Sequence, residues 1–327
     1  MRGLPQRPAR RPGQQGAALL LAMIILALVT TLAAGMVWQQ ARAVQVEAAE
    51  RARAQSAWVL TGALDWARLI LREDLRAAQR RGPLYTSLGD SWATPLEEAR
   101  LSSFLAADQD NNVDSGPEAF ISGRIVDAQS RYNLRNLVDG TGRIVPVQLA
   151  GLQRLAQAAG APGSAADEIA QALARAYAPV AAGGNPQAPI KPQQLSDLRW
   201  LGVDDATLQP LRPFVTLLPV LTPVNANTAP AEVLLAAIDG LDLGSAQRIV
   251  QARQRNPYTT LPALQAVLPQ GATLDATRVG VFSAWFVVTG RLRLDERVLE
   301  QRSLLQRDLD RVTVRRTERR SFATSAR

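Results

Sequence analysis

The chain has 327 residues, 47% of them hydrophobic but only 5% aromatic, with a formal charge of +8 and neither cysteine nor histidine. Without thiols or imidazoles there are no disulfides, no Cys/His zinc sites and no histidine-dependent triads. Lys191 is the sole lysine, and the arginine charge is scattered apart from the termini, so the basic balance reads as composition rather than as a nucleic-acid or membrane footprint.

In chain order, Arg2, Arg7, Arg10 and Arg11 come first, and then Gly16. From Ala17 to Val37 the chain is uncharged and largely apolar, and no charge follows until Arg42. A helix rising about 1.5 Å per residue crosses the hydrocarbon core with about 20 such residues. The leading arginines should stay cytoplasmic and place the rest of the chain outside. A cleaved signal peptide competes, with Ala41-Arg42-Ala43 as its cleavage form, but its apolar region is normally about 7–15 residues. An ordinary signal-anchor helix is the plainer alternative. Beyond Val37, residues Val44, Ala48, Arg51, Gln55, Val59, Ala63, Trp66 and Ile70 recur at helical spacing without proline. This predicts one helix from the membrane to about Gln79, with Gly62 as the place for a bend.

A basic leader, Gly16, an apolar helix and an amphipathic extension resemble the N-terminus of type IV pilin-like proteins. The resemblance implies that a prepilin peptidase cuts after Gly16, methylates Ala17 and leaves the helix in place. Pilins and major pseudopilins carry glutamate at the fifth mature position, where this chain has Leu21. A carboxylate in the bilayer is costly unless paired, so a subunit with nothing above it has no use for one. Lack of this glutamate resembles the minor pseudopilin K family of type II secretion systems.

Further along, Phe120 to Val126 reads as a strand, Asp127, Ala128 and Gln129 turn the chain, and Tyr132-Asn133-Leu134 continues it. The K-family resemblance runs through Trp92, Ala93, Asp127, Asn133, Leu134 and Leu137, whereas Arg135 and Asn136 depart from it. From Pro146 to Pro219 the pattern is helical. Leu149, Leu152, Leu155 and Ala159 line one helix that stops at Gly160. Ser164 is the N-cap expected for the next helix. A Gly/Pro-rich link over Ala181–Pro192 precedes two short helical segments, and together these resemble the family's inserted helical domain.

Val224 to Leu268 opens with Asn225, Asn227 and Thr228. It resembles both the helix-hairpin-helix unit of competence-type DNA-binding proteins and the second helical unit of the K family. In a DNA-binding hairpin, backbone N–H groups in a Gly-hydrophobic-Gly turn contact phosphate. Here the turn is Gly240-Leu241-Asp242, and Asp239 and Asp242 add negative charge where phosphate would lie. Arg248, Arg253 and Arg255 are the residues left to touch a nucleic-acid backbone. Phe282–Leu294 and Val312–Val314 read as strands, Arg297–Leu305 as strand or helix, and the tail after Arg315 as frayed.

Asp108, Asp110, Asn112 and Asp114 place oxygen ligands at alternating positions, as calcium requires, and Glu118 is the candidate to complete the set. The run is not an EF-hand, because Val113 and Ala119 stand where that loop needs glycine and glutamate. A solvated Asp/Asn turn gives the same composition. The resemblance adds calcium as the one possible ion. No catalytic constellation stands out: Lys191 lies in the Pro-rich link, and Asp65 and Asp74 read as solvated or paired with arginine.

The expectation is an α+β fold: a long N-terminal helix, transmembrane then amphipathic, and a pilin-like antiparallel sheet with a large inserted helical domain containing a helix-hairpin-helix-like unit. The expected divisions are a leader over 1–16, a membrane span over 17–37, a pilin-like part over 38–143, the inserted domain over 144–280 (as 144–222 and 223–280), and a C-terminal sheet part over 281–327. The resemblance implies a non-enzymatic minor pseudopilin that caps the pseudopilus and assists export across the outer membrane. It would be held in the inner membrane by Ala17–Val37, with its C-terminal domain in the periplasm. Its implied partners are minor pseudopilins I and J, the major pseudopilin and the prepilin peptidase, with nucleic acid disfavoured. The alternative is a membrane-anchored helix-hairpin-helix protein of DNA binding or uptake.

Overall fold

The structure, a computed structural model, describes residues 15–101, 119–179, 189–294, 296–308 and 311–323. Two compact units divide at Val59, the chain up to Trp58 forming one and 59–327 the other. Helix α1 runs from Gln15 to Arg81, unbroken at Gly62. Within the first unit it is the one described helix long and apolar enough to cross a membrane, and its most apolar window is wholly exposed. Past that window it is laced by its own pairs, Arg51–Glu47 at 2.5 Å and Arg53–Glu50 at 3.3 Å.

In the second unit the helix becomes one-sided. Leu60, Leu64, Ala67, Leu71, Leu75 and Ala78 are buried at spacings of three and four, which puts them on one stripe. That stripe packs on a five-stranded antiparallel sheet in the order β1-β2-β7-β8-β9. The strands are β1 (Leu96–Arg100), β2 (Ala119–Asp127), β7 (Trp285–Leu294), β8 (Arg297–Asp308) and β9 (Arg311–Ala323). Leu64, Ala67 and Leu71 meet Phe286, Val288, Leu305 and Val312, while Leu60 meets Ile121 and Leu292. Trp92 stands edge-on to Phe286, with centroids 5.2 Å apart at 68°. Each large side chain so buried contributes about 1.5–3 kcal/mol.

The stretch from Arg297 is a strand, as one of its two readings had it. The expectation of a frayed tail is corrected: β9 pairs with β8 as far as Ala323. Its side chains after Val314 are mostly polar, so main-chain pairing holds the strand rather than an apolar face.

Between β2 and β7 the chain builds a helical domain. Its helices are α2 (Pro146–Ala158), α3 (Ala165–Tyr177), α4 (Asp205–Leu208), α5 (Ala231–Ala237), α6 (Leu243–Arg255) and α7 (Leu261–Gln265). Two short parallel pairs tie it together: β3 (Tyr132–Asn133) with β4 (Val215–Thr216), and β5 (Val224–Asn225) with β6 (Val279–Gly280). Leu152, Leu155, Ile169, Leu173, Val233 and Leu234 share its core. Helices α2 and α5 approach so closely that a Cβ on Gly151 would lie 2.6 Å from the Ala236 carbonyl oxygen. Ser164 does not cap α3 through its side chain. Its backbone is already helical, and its hydroxyl bonds Glu168 at 2.6 Å instead.

Candidate functional site

Asp127 closes β2 and turns the chain out of the sheet. Its Oδ1 accepts from the Gln129 N–H at 2.7 Å. Its Oδ2 accepts from Thr228 Oγ1 and Ser283 Oγ, both at 2.6 Å, and from Asn225 Nδ2 at 3.1 Å. Asn225 also donates to the Thr86 carbonyl at 3.1 Å. Thus the end of β2, the start of the second helical segment, the entry to β7 and the loop after α1 meet at one fully buried carboxylate. Burial pushes the Asp127 carboxyl above its ordinary range, and its four donors oppose that shift.

Arg307, near the end of β8, joins the same junction. It donates to Asp74 Oδ2 at 2.8 Å, to Thr86 Oγ1 at 2.9 Å and to the Ser283 carbonyl at 3.0 Å. Its guanidinium also lies over Phe282 and Phe286, 5.1 and 4.7 Å from their centroids. Burial pulls Arg307 down, and Asp74 opposes this. Burial and the neighbouring Asp90 push Asp74 up, and Arg307 opposes this.

Two other asparagines stitch the helical domain. Asn133 Oδ1 accepts from the Arg135 and Leu218 N–H groups, both at 3.1 Å, while its Nδ2 donates to Val220 O at 2.8 Å and Thr222 Oγ1 at 2.9 Å. Asn227 exchanges two 2.8 Å bonds with the Tyr258 backbone. At these chain crossings no strand ladder is available, and side-chain amides satisfy backbone groups that burial would otherwise orphan.

The structure therefore brings Asp127, Asn225 and Thr228 together, and places Asn133 and Asn227 at separate crossings. Leu134 is wholly buried in the helical core. Trp92 is buried against the sheet and donates to Asp90 Oδ2 at 3.4 Å. Gly16 and Ala17 lie at the start of α1, and Leu21 on it is 60% exposed. Asp108, Asp110, Asn112, Asp114 and Glu118 lie outside the described residues. Among the described residues no group of three or more carboxylates is placed to hold a metal. Thr86, Ser283 and Arg307 escaped sequence reasoning, for each is an isolated polar residue without a motif. Apart from Arg307 Nε, which is buried without a partner among the described residues, the junction's side-chain oxygens and nitrogens are engaged with one another or with backbone groups, which suits a structural fastening.

The hairpin between α5 and α6 differs from a DNA-contacting one. Asp239 accepts from Arg154 at 2.6 Å and from Arg278 at 2.5 Å. Burial raises its carboxyl, but the two arginines outweigh this and hold it below the usual range. Asp242 caps α6 by accepting from Ser245 N–H at 2.9 Å, and its bonds to Ser245 lower its carboxyl. Arg253, one of three arginines considered for a phosphate backbone, is buried and donates to the Ala226 and Ala229 carbonyls at 2.5 Å. Burial pulls it down to about 10, so it stays charged at neutral pH. The DNA-binding reading is not favoured by this geometry.

A long apolar helix, an antiparallel sheet and a helical domain inserted between its strands define a pilin-like subunit. The family model for type II secretion system protein K matches residues 224–288, and a second model of the same description matches 130–220. Type II secretion system protein K of Pseudomonas aeruginosa is 30% identical over 324 residues, covering 92% of this chain and 91% of its own. The protein of that name from Pectobacterium carotovorum subsp. carotovorum is 29% identical over 337 residues, covering 93% and 96%. In fold, the chain matches one from the crystal structure of the GspK-GspI-GspJ complex of enterotoxigenic Escherichia coli. The TM-score is 0.60 at 19% identity, covering 83% of this chain and 98% of that one. The chain belongs to the type II secretion system protein K family, the minor pseudopilins of that system.

Proposed function

We propose that this chain caps the tip of a type II secretion pseudopilus and so assists protein export across the outer membrane. The observation that carries this reading is similarity to protein K over 92% of the chain. Leu21 supports the terminal position, because the family's glutamate serves a neighbour above and this chain has none at that place. In this reading the prepilin peptidase cuts after Gly16, and α1 rests in the inner membrane with the sheet and helical domain in the periplasm. On assembly, α1 leaves the bilayer to pack against sibling helices of pseudopilins I and J and the major pseudopilin. The helical domain, roughly 144–280, obstructs addition of a further subunit. The Asp108–Asp114 run with Glu118 is carried as a calcium ligand set, to be tested by calcium titration.

Tagged full-length chain co-expressed with I and J pseudopilins of its own system tests this. Recovery of all three together after detergent extraction is expected. Recovery of this chain alone, with I and J associating without it, would overturn the proposal.

A further inference from the structure

Strand register gives the sheet a second face. Phe286, Val288, Ile121 and Leu292 point toward α1, so the alternate residues point the other way. On that outer face Arg124, Thr289, Arg302 and Glu318 stand in one row across β2, β7, β8 and β9. Its arginines mostly have carboxylate partners. Arg291 pairs with Glu300 at 2.5 Å, Arg293 with Glu98 at 2.8 Å, and Arg316 with Glu318 at 2.9 Å.

Three arginines have no described carboxylate within ion-pair distance, though Glu318 stands opposite Arg302 and, with Glu300, attracts it. Arg124 and Arg302 are exposed, and neither side chain has an ion pair or hydrogen bond among the described residues. Arg131, half-buried, is equally without one, and it follows the turn whose Ala128 packs on Trp285 and Leu304 of this same face. Its burial and the nearby charges of Arg302 and Arg124 pull its guanidinium down. Burial lowers Arg302 as well, and Glu318 and Glu300 oppose this, yet Glu318 is already shared with Arg316, so the three arginines are in excess of carboxylate and an anion set among them relieves their repulsion.

We propose that this outer face, at Arg124, Arg131 and Arg302, docks an acidic protein segment that presents at least two carboxylates. Carboxylates are the partners that neighbouring arginines of the face already use, in the Arg–Glu geometry that suits them. Spacing favours a segment over a single anion. Arg124 and Arg302 lie on strands separated by β7, hence about 9–10 Å apart at the backbone. Alternate side chains on an extended segment are about 7 Å apart, close enough for two flexible arginines to reach. This surface is independent of the fibre-capping role, since it is read from the sheet alone.

The test uses full-length chain in nonionic detergent and a fluorescent poly-glutamate peptide, read by anisotropy. Salt-sensitive binding is expected. The R124Q/R131Q/R302Q variant should bind about tenfold more weakly or worse. R80Q/R255Q/R297Q, which removes equal charge elsewhere, should bind like the parent. R124Q/R302Q, at exposed positions, keeps the test sound if the triple variant misfolds, and it should also weaken binding. No binding by the parent, or equal weakening in the two triple variants, would overturn the proposal. So would cluster-dependent binding of soluble dihexanoyl phosphatidylglycerol with none of poly-glutamate, which would make the site one for lipid headgroups.

Discussion

Arg307 on β8 donates to Asp74 on α1 at 2.8 Å, and their side chains are only 1% and 8% exposed. The pair joins the second unit's stretch of α1 to the inner strands of the sheet. Two buried charges offset each other's desolvation, so the pair adds little net stability, yet removing one partner strands the other. Asp74→Ala should therefore cost about 3–5 kcal/mol, and the double change D74L/R307M much less. Denaturant unfolding followed by tryptophan fluorescence measures both. A loss below about 1 kcal/mol for D74A would show that water reaches the guanidinium.

Asp127 should behave as a hub. Asp127→Ala takes the short-range acceptor from Thr228, Ser283 and the Gln129 N–H together, and one of three acceptors from Asn225. At about 1–3 kcal/mol for each buried group left unsatisfied, the loss should exceed that of Ser283→Ala by several-fold. The same unfolding experiment ranks the two, and equal losses would contradict the hub.

How far this junction was legible in the sequence depends on the residue. Asp127, Asn225 and Thr228 stand out as family motif positions; α2 follows from apolar spacing, and the helices after Val224 follow from the resemblance. Ser283 and Arg307 did not stand out, because each is one polar residue in a β-rich run, and their partners lie 156 and 233 positions away. Local periodicity carries no information on such distant pairs. For the same reason only Val312–Val314 reads as strand and the chain after Arg315 reads as frayed: an edge strand needs no apolar alternation when a long neighbour supplies its hydrogen bonds. The Asp242 cap is visible as a charge in the hairpin, but the burial of Arg253 at the other end of α6 is not.

The pH dependence should show two limbs of opposite sign. Asp239 is held below its unfolded value of about 3.9 by Arg278 and Arg154, so its contribution is present above that value and lost as pH falls through the folded pKa. Asp127 is raised by burial, so its contribution is present below about 3.9 and lost as pH rises through its folded pKa. Melting temperatures across acidic and neutral pH should show D239N flattening the first limb and D127N the second. An unchanged acid limb in D239N would contradict the assignment.

Gly151 marks a close approach of α2 and α5. Gly151→Ala sets a methyl 2.6 Å from the Ala236 carbonyl, where the backbone must move, at a cost of about 1–3 kcal/mol. Gly163→Ala meets nothing within 4 Å and should be close to neutral. Thermal unfolding separates the two, and equal melting temperatures would mean that α2 and α5 are packed more loosely.

Asp242→Gly removes an N-cap that glycine replaces at a loss of only a few tenths of a kcal/mol. A mobility-shift assay with duplex DNA should show no gain in affinity, because Arg253 remains buried and bonded to carbonyls. A clear gain would return the hairpin to nucleic-acid recognition.

The central claim, a processed pilin-like subunit of the secretion fibre, is tested most directly by the mature N-terminus. Mass spectrometry of the full chain, expressed with and without a prepilin peptidase, reads it. The account predicts a chain beginning at methylated Ala17 only when the peptidase is present. A chain beginning at Val44, or one left uncut at Met1 in both cases, would contradict it.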